Sequence, residues 1–212
     1  MTKLMTWAEM KPLLKDIDVI GAMEEGFRAY SDGLAVIPPV GELCFEEPPG
    51  DVHLKYGYLK SGDYYVVKIA SGFYDNPKLG LPSSQGLMLL FSKKTGQTEA
   101  VLLDEGRLTD IRTAAAGAVA ARHLGPESVS RIGIIGTGIQ ARVQLEYLER
   151  VTECREVMVW GRSEENAQAY VRDVASRGFE AWVAADAKSL AEACNLIVTT
   201  TPSREPLLQS AW

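Results

Sequence analysis

The chain has 212 residues, 46% hydrophobic and 24% charged, a composition that excludes a disordered polymer and allows roughly one to two packed domains. A formal net charge of -6 excludes a protein that clamps nucleic-acid backbone over a broad surface, because that affinity rests on concentrated Lys and Arg. Cys44, Cys154 and Cys194 lie far apart, as do His53 and His123, so neither a disulfide framework nor a zinc cluster is expected. No apolar run has the length of a signal-peptide core or a membrane span, and a cytoplasmic protein with neither a membrane nor a nucleic-acid partner is the expectation.

Residues 6–33 read as helical, with Thr6 capping a short first helix. In the second, Ile17, Ile20, Phe27 and Tyr30 fall at helical spacing and Gly33 closes the run. From "IPPVGELCFEEPPGD" to "LLDEG" the pattern changes to short strands punctuated by Pro, Gly and Asp, and Thr95-Gly96 between two apolar runs predicts a hairpin.

Within that region "YYVVKIA" is a β-branched and aromatic strand with a lysine in its middle. Alternation puts Tyr64, Val66, Lys68 and Ala70 on one face. A lysine held in an apolar pocket loses part of its preference for the charged form and can exchange a proton near neutral pH. The plainer alternative is a lysine near a sheet edge with its ammonium in water.

"LTDIRTAAAGAVAARHLG" follows as an alanine-rich helix with Thr109 as expected N-cap and Gly125 just past its end. Arg112 is expected in its first turn beside Thr113, where free N–H groups and a guanidinium could together hold a carboxylate or phosphate. The alternative is a surface ion pair with Asp110, Asp104 or Glu105.

Beyond Pro126 strand and helix alternate through "RIGIIG", "EVMVWG", "FEAWVAA" and "NLIVTTT", the pattern of βαβ units on a parallel sheet. A boundary is therefore expected near residue 126: an α+β domain over 1–125, then a doubly wound domain over 126–212. Gly136-Thr137-Gly138-Ile139-Gln140-Ala141 follows a strand and opens a helix, the context that makes this spacing a dinucleotide turn. Gly136 suits the tight turn, Gly138 lets backbone approach a pyrophosphate, and Ala141 lets helix and strand pack closely. At the end of the next strand "VWGRSEE" has no carboxylate at its tip. Arg162 and Ser163 could hold a 2′-phosphate, which favours NADP(H) over NAD(H), with Glu164 and Glu165 expected in the next helix.

These segments resemble the ornithine cyclodeaminase and mu-crystallin family: "VVKIASGFYDNPKLGLPSSQGLMLLF", "LLDEGRLTDIRTAAAGAVAARHL", "IGIIGTGIQARVQLEYL", "VMVWGRSEENA" and "LIVTTTPSREPLL" stand in the family's order. The L-T-x-x-R-T-A-A element is specific to it, and the glycine-rich segment is similar to that of members that act in ectoine utilisation. The resemblance implies a homodimeric NAD(P)-dependent enzyme that moves hydride at the α-carbon of a small amino acid or cyclic imino acid, as a reductase, a dehydrogenase or a cyclodeaminase. It also implies a non-catalytic alternative, an NADPH-dependent small-molecule-binding protein. By the same resemblance Lys68 and Arg112 are catalytic and meet substrate, Ser83 faces substrate, Thr113 borders the cofactor phosphates, and Thr200 and Thr201 lie along the nicotinamide side.

Two departures qualify the match. The family's early carboxylate-clamping arginine has Gly41 or Glu42 in its place, and His53 and Lys55, on one face of "DVHLKYGYL", are the candidate substitutes. The chain also stops after the fourth strand of the doubly wound pattern, where a full fold would add about 60 residues. It therefore reads as a truncated product of doubtful activity, lacking an acidic residue that many members carry on the next strand, with "LIVTTT" as an apolar sheet edge.

Overall fold

The computed structural model describes residues 1–212, which fold as two compact units, Met1–Arg112 and Thr113–Trp212. The first is built on a seven-stranded sheet. It opens with β1 (Lys3–Thr6), a four-residue strand that the sequence pattern does not announce, followed by the short helix α1 (Trp7–Met10). Glu9 at the start of α1 accepts from the Thr6 backbone N–H at 2.8 Å and from its hydroxyl at 2.7 Å. After α2 (Val19–Ser31) come β2 (Ala35–Val36), β3 (Gly41–Phe45), β4 (Gly50–Leu59), β5 (Tyr64–Phe73), β6 (Ser84–Ser92) and β7 (Thr98–Leu103).

Strand order in this sheet is β1-β7-β6-β5-β4-β2, with β3 also on β4, and only the β1–β7 pair is parallel. The expected hairpin is present as β6–β7, with Gly96 at φ 72° in its turn. β5 is an interior strand between β4 and β6. This removes the sheet-edge reading of Lys68, whose strand neighbours bond to partners on both sides.

Helix α3 (Arg107–Leu124) starts two residues before Thr109, which corrects its expected role as N-cap. A side-chain oxygen of Asp104 accepts from Leu108 N at 2.9 Å instead, and Gly106 at φ 80° turns the chain into the helix. Arg112 consequently sits in the second turn, where backbone N–H groups already serve the helical ladder, so the expected anion cradle of free N–H groups at 112 and 113 is not formed.

The second unit begins inside α3 rather than at residue 126. The reason is packing: Ala114, Ala115 and Ala118 are fully buried, and Gln144 donates to the Thr113 carbonyl at 3.3 Å, tying the later turns of the helix to this unit. Here β8 (Ile132–Ile135), α4 (Ile139–Leu148), β9 (Glu156–Trp160), α5 (Glu164–Ala175), β10 (Glu180–Val183), α6 (Ala187–Ala193) and β11 (Leu196–Thr199) alternate. The four strands form a parallel sheet in the order β10-β9-β8-β11.

One layer packs Ala141, Leu145 and Leu148 of α4 and Ala167, Tyr170 and Val174 of α5 on Ile132, Ile134, Val157 and Val159. The other packs Leu190 of α6 and Cys194 just after it on Ile135 and Met158, joined by Leu207, Leu208 and Trp212. β11 lies at one edge of this four-stranded sheet. No helix is long and apolar enough to cross a membrane.

Candidate active site

In the first unit the register decides which side chains meet. Lys68 on β5 lies directly opposite Lys55 on β4 and Met88 on β6, and Met88 in turn lies opposite Leu102 on β7. Two lysines opposite each other repel, so the pair is an expense the sheet carries unless an anion joins them. Arg112 adds its charge from α3, and both it and Lys68 are half-buried.

Burial, then Arg112, then Lys55 lower the Lys68 pKa from the ordinary 10.5 to about 8, while Asp104 opposes the fall. Burial also disfavours the charged form of Arg112, against the pull of Asp110. A half-buried lysine at about 8 can give or take a proton near neutrality, and the cations beside it suit a carboxylate.

Beside this cluster on the same sheet face is a cavity of about 210 Å³ lined by residues that include Asp51, His53, Ser84, Gln85 and Thr109. His53 Nε2 lies 3.3 Å from Asp51 and its Nδ1 lies 3.9 Å from Glu42, while the Tyr74 hydroxyl donates to Asp51. Glu42, one of the two residues expected at the place of the family's early arginine, lies opposite His53 across β3 and β4. Asp51 and Glu42 thus flank His53. Lys55 is exposed and lies opposite Lys68. Ser84, not Ser83, lines the cavity; Ser83 precedes β6, and its carbonyl accepts from Phe73 N at 2.8 Å.

In the second unit the glycine turn lies between the carboxyl ends of β8 and β11, where the strand order reverses, the place at which open α/β sheets take ligands. Gly136 has φ 118°, and a Cβ there would meet the Thr200 hydroxyl at 2.6 Å and carbonyl at 2.7 Å, so the turn admits no side chain. Gly138 caps α4, and a Cβ on it would meet nothing within 4 Å. The space before the helix N-terminus is open, which fits a pyrophosphate held by backbone N–H groups.

Thr137 lies in the turn against Gly161, Ile139 is exposed at the start of α4, Ala141 is fully buried, and Gln140 accepts from Gln144 at 3.4 Å. Thr200 N donates to Ile135 O at 2.8 Å, and the Thr201 hydroxyl accepts from Ser203 N at 3.3 Å. Arg162 is exposed after β9, while Ser163 caps α5 by accepting from Asn166 N at 3.3 Å. Glu164 and Glu165 fill the first turn of α5, as expected.

Two residues with no role assigned from the sequence also shape these places. Arg142 donates to the Thr137 carbonyl at 2.5 Å and to the Gly138 carbonyl at 3.2 Å while pairing with Asp173 of α5, which fixes the glycine turn. Its position one turn into α4 was the available signal. Asp104, in sequence a possible surface partner of Arg112, is 1% exposed.

The profile of the ornithine cyclodeaminase/mu-crystallin family matches residues 2–212. The chain belongs to that family. A family relative in Rhizobium meliloti, named as a dehydrogenase, is 42% identical over 212 residues, covering 99% of this chain and 64% of the relative. Among solved structures, an archaeal alanine dehydrogenase dimer with bound NAD is 36% identical with a TM-score of 0.88 and covers 100% of this chain and 64% of that one. A Δ1-pyrroline-2-carboxylate reductase of Thermococcus litoralis, in complex with NADH and L-proline, is 29% identical with a TM-score of 0.91, covering 98% and 64%. The chain therefore spans about 64% of the length of these family members. The likeness runs over both units, so the reading of an α+β domain followed by a Rossmann-type sheet of four strands holds.

Proposed function

We propose that the protein to which this chain belongs is a cytoplasmic, homodimeric oxidoreductase that interconverts a small amino acid and its imino acid, using a nicotinamide dinucleotide. The observation that carries the reading is Lys68: a half-buried lysine on an interior strand, opposite Lys55 and beside Arg112, with a pKa of about 8. Arg112 and Lys55 hold the substrate carboxylate as paired or point-charge donors. Lys68 exchanges the proton at the substrate nitrogen or its water, which favours hydride arrival at an iminium carbon. Ser83 is the family's substrate-facing position, and His53 sits close to the same face.

When bound, the dinucleotide supplies or accepts the hydride. Gly136, Thr137, Gly138, Ile139, Gln140 and Ala141 hold its pyrophosphate, and Thr113 borders the phosphates. Thr200 and Thr201 flank the nicotinamide side, and Arg162 with the Ser163 hydroxyl binds a 2′-phosphate, making NADP(H) the preferred form. The homodimer is supported by the exposed apolar side chains Leu43, Phe45, Tyr56 and Tyr58 on the first unit's sheet. Three free cysteines fit a reducing compartment.

The test is fluorescence titration of the chain with NADPH and NADH, followed by turnover on a panel of cyclic imino acids and amino acids with absorbance at the nicotinamide band. Imine-dependent NADPH oxidation supports the reading. Release of ammonia from a diamino acid with no net change in cofactor moves it to a cyclodeaminase, and NADPH binding without turnover on any substrate moves it to a binding protein.

A further inference from the structure

Asp104 is surplus to its role as a helix cap. It follows β7, is 1% exposed, and its Oδ2 accepts from Leu108 N at 2.9 Å, while its Oδ1 has no hydrogen-bond partner. Capping needs one acceptor oxygen, and Asn or Ser would supply it without the penalty of burying a charge. A buried carboxylate oxygen left without a donor is costly, and it persists where a cation or a proton comes to meet it.

The fold says which cation. Leu102 stands in the row that runs through Met88 to Lys68, and Asp104, two residues further on, continues along the same side of the chain. Gly86 and Gly106 let the lead-in to α3 press on that face: a Cβ on Gly86 would meet the Ile69 carbonyl at 2.7 Å and the Gly106 Cα at 3.5 Å. The charges acting on Lys68 are Arg112 from α3, Lys55 from β4 and Asp104 after β7, and Asp104 is the negative one among them. Asp110, an acid in the first turn of α3, acts on Arg112.

We propose that Asp104 is a positioning residue for Lys68: one carboxylate oxygen pins the first turn of α3, and the other is kept for the Lys68 ammonium. The pairing rests on the reading that Lys68 exchanges a proton with substrate, and it deepens that reading. Burial, Arg112 and Lys55 push the Lys68 proton off, and Asp104 is the charge that opposes them. Asp104 keeps the proton in place and aims the amine, while its burial shields the interaction from salt.

The test is a titration of the full chain labelled with 13C at the lysine Cε, the Lys68 signal being assigned by its loss in Lys68→Met. Asp104→Asn keeps an acceptor for Leu108 N and removes the charge, so the Lys68 midpoint should move down by about one pH unit. An unchanged midpoint in a folded Asp104→Asn chain overturns the proposal. Should that variant fail to fold, the unaltered chain answers: the Asp104 carboxyl carbon should show an inflection at the Lys68 midpoint that disappears in Lys68→Met, and its absence overturns the proposal equally. Neither measurement needs a dinucleotide or turnover. A chain that shows the coupled titration but never binds or oxidises NADPH removes the functional reading and leaves the pair standing.

Discussion

Under the proposed function, the two units would hold anions by opposite means. In the second, a few consecutive residues after β8 do the work with backbone: Gly136 turns, Gly138 leaves space and α4 offers its N–H groups, with Arg142 locking the turn by its two carbonyl contacts. In the first, charge is carried by side chains from separate elements, Lys55, Lys68, Asp104 and Arg112, which register and the close approach at Gly86 assemble. A backbone site holds its polarity at any pH. A side-chain site titrates, and the same crowding that strains it makes its lysine able to move a proton.

That contrast can be broken at several points. The largest effect is expected from Lys68→Met, which should lower turnover on the reactive imino acid by about 10³-fold while leaving the NADPH dissociation constant unchanged; a loss of NADPH binding would mean the two sites are not separable.

The same variant carries a pH signature. Lys68 holds its proton less tightly folded, at about 8 against 10.5, so the unfolded chain binds more protons between those values and stability rises with pH across that window. Lys68→Met should therefore have a higher melting temperature than the parent at pH 7, with the difference shrinking as pH climbs from 8 to 10.5. A gap that is constant with pH would show that the lysine is not depressed.

On the other side, Gly136→Val puts a side chain where the Thr200 carbonyl stands and where φ is 118°, and should destabilise the second unit by about 3 kcal/mol in a denaturant titration while leaving the Lys68 midpoint in place. Smaller again, Arg162→Ala should weaken NADPH by about 10-fold and NADH hardly at all; equal losses would remove the 2′-phosphate assignment. Ser163→Ala loses the cap on α5 and should cost about 1 kcal/mol of stability, readable by the same denaturant titration.

How far each region could be read in advance follows from its construction. The glycine turn, the helix it opens, the acids at the start of α5 and the strand β11 are local patterns of spacing, and they stand where the pattern puts them. Alternation alone placed Lys68 among valines and raised the question of its charge, but could not tell an interior strand from an edge. The start of α3 was misplaced because Thr109 is a good cap in isolation, whereas Asp104 out-competes it once the turn at Gly106 folds. His53 shared a face with Lys55 as alternation requires, yet the pairing of β3 with β4 set Glu42 against it and gave it acidic company.

The sequence by itself determined most of the elements, the glycine turn after β8 and the family, since each rests on residues close together in the chain whose preferences need no distant partner. Only the tertiary structure decided that Lys68 stands opposite Lys55, that Arg112 belongs to a second helical turn, and that Asp104 is buried with an oxygen to spare. Strand register and desolvation produce those facts, and both are properties of groups brought together from afar, which no local pattern encodes.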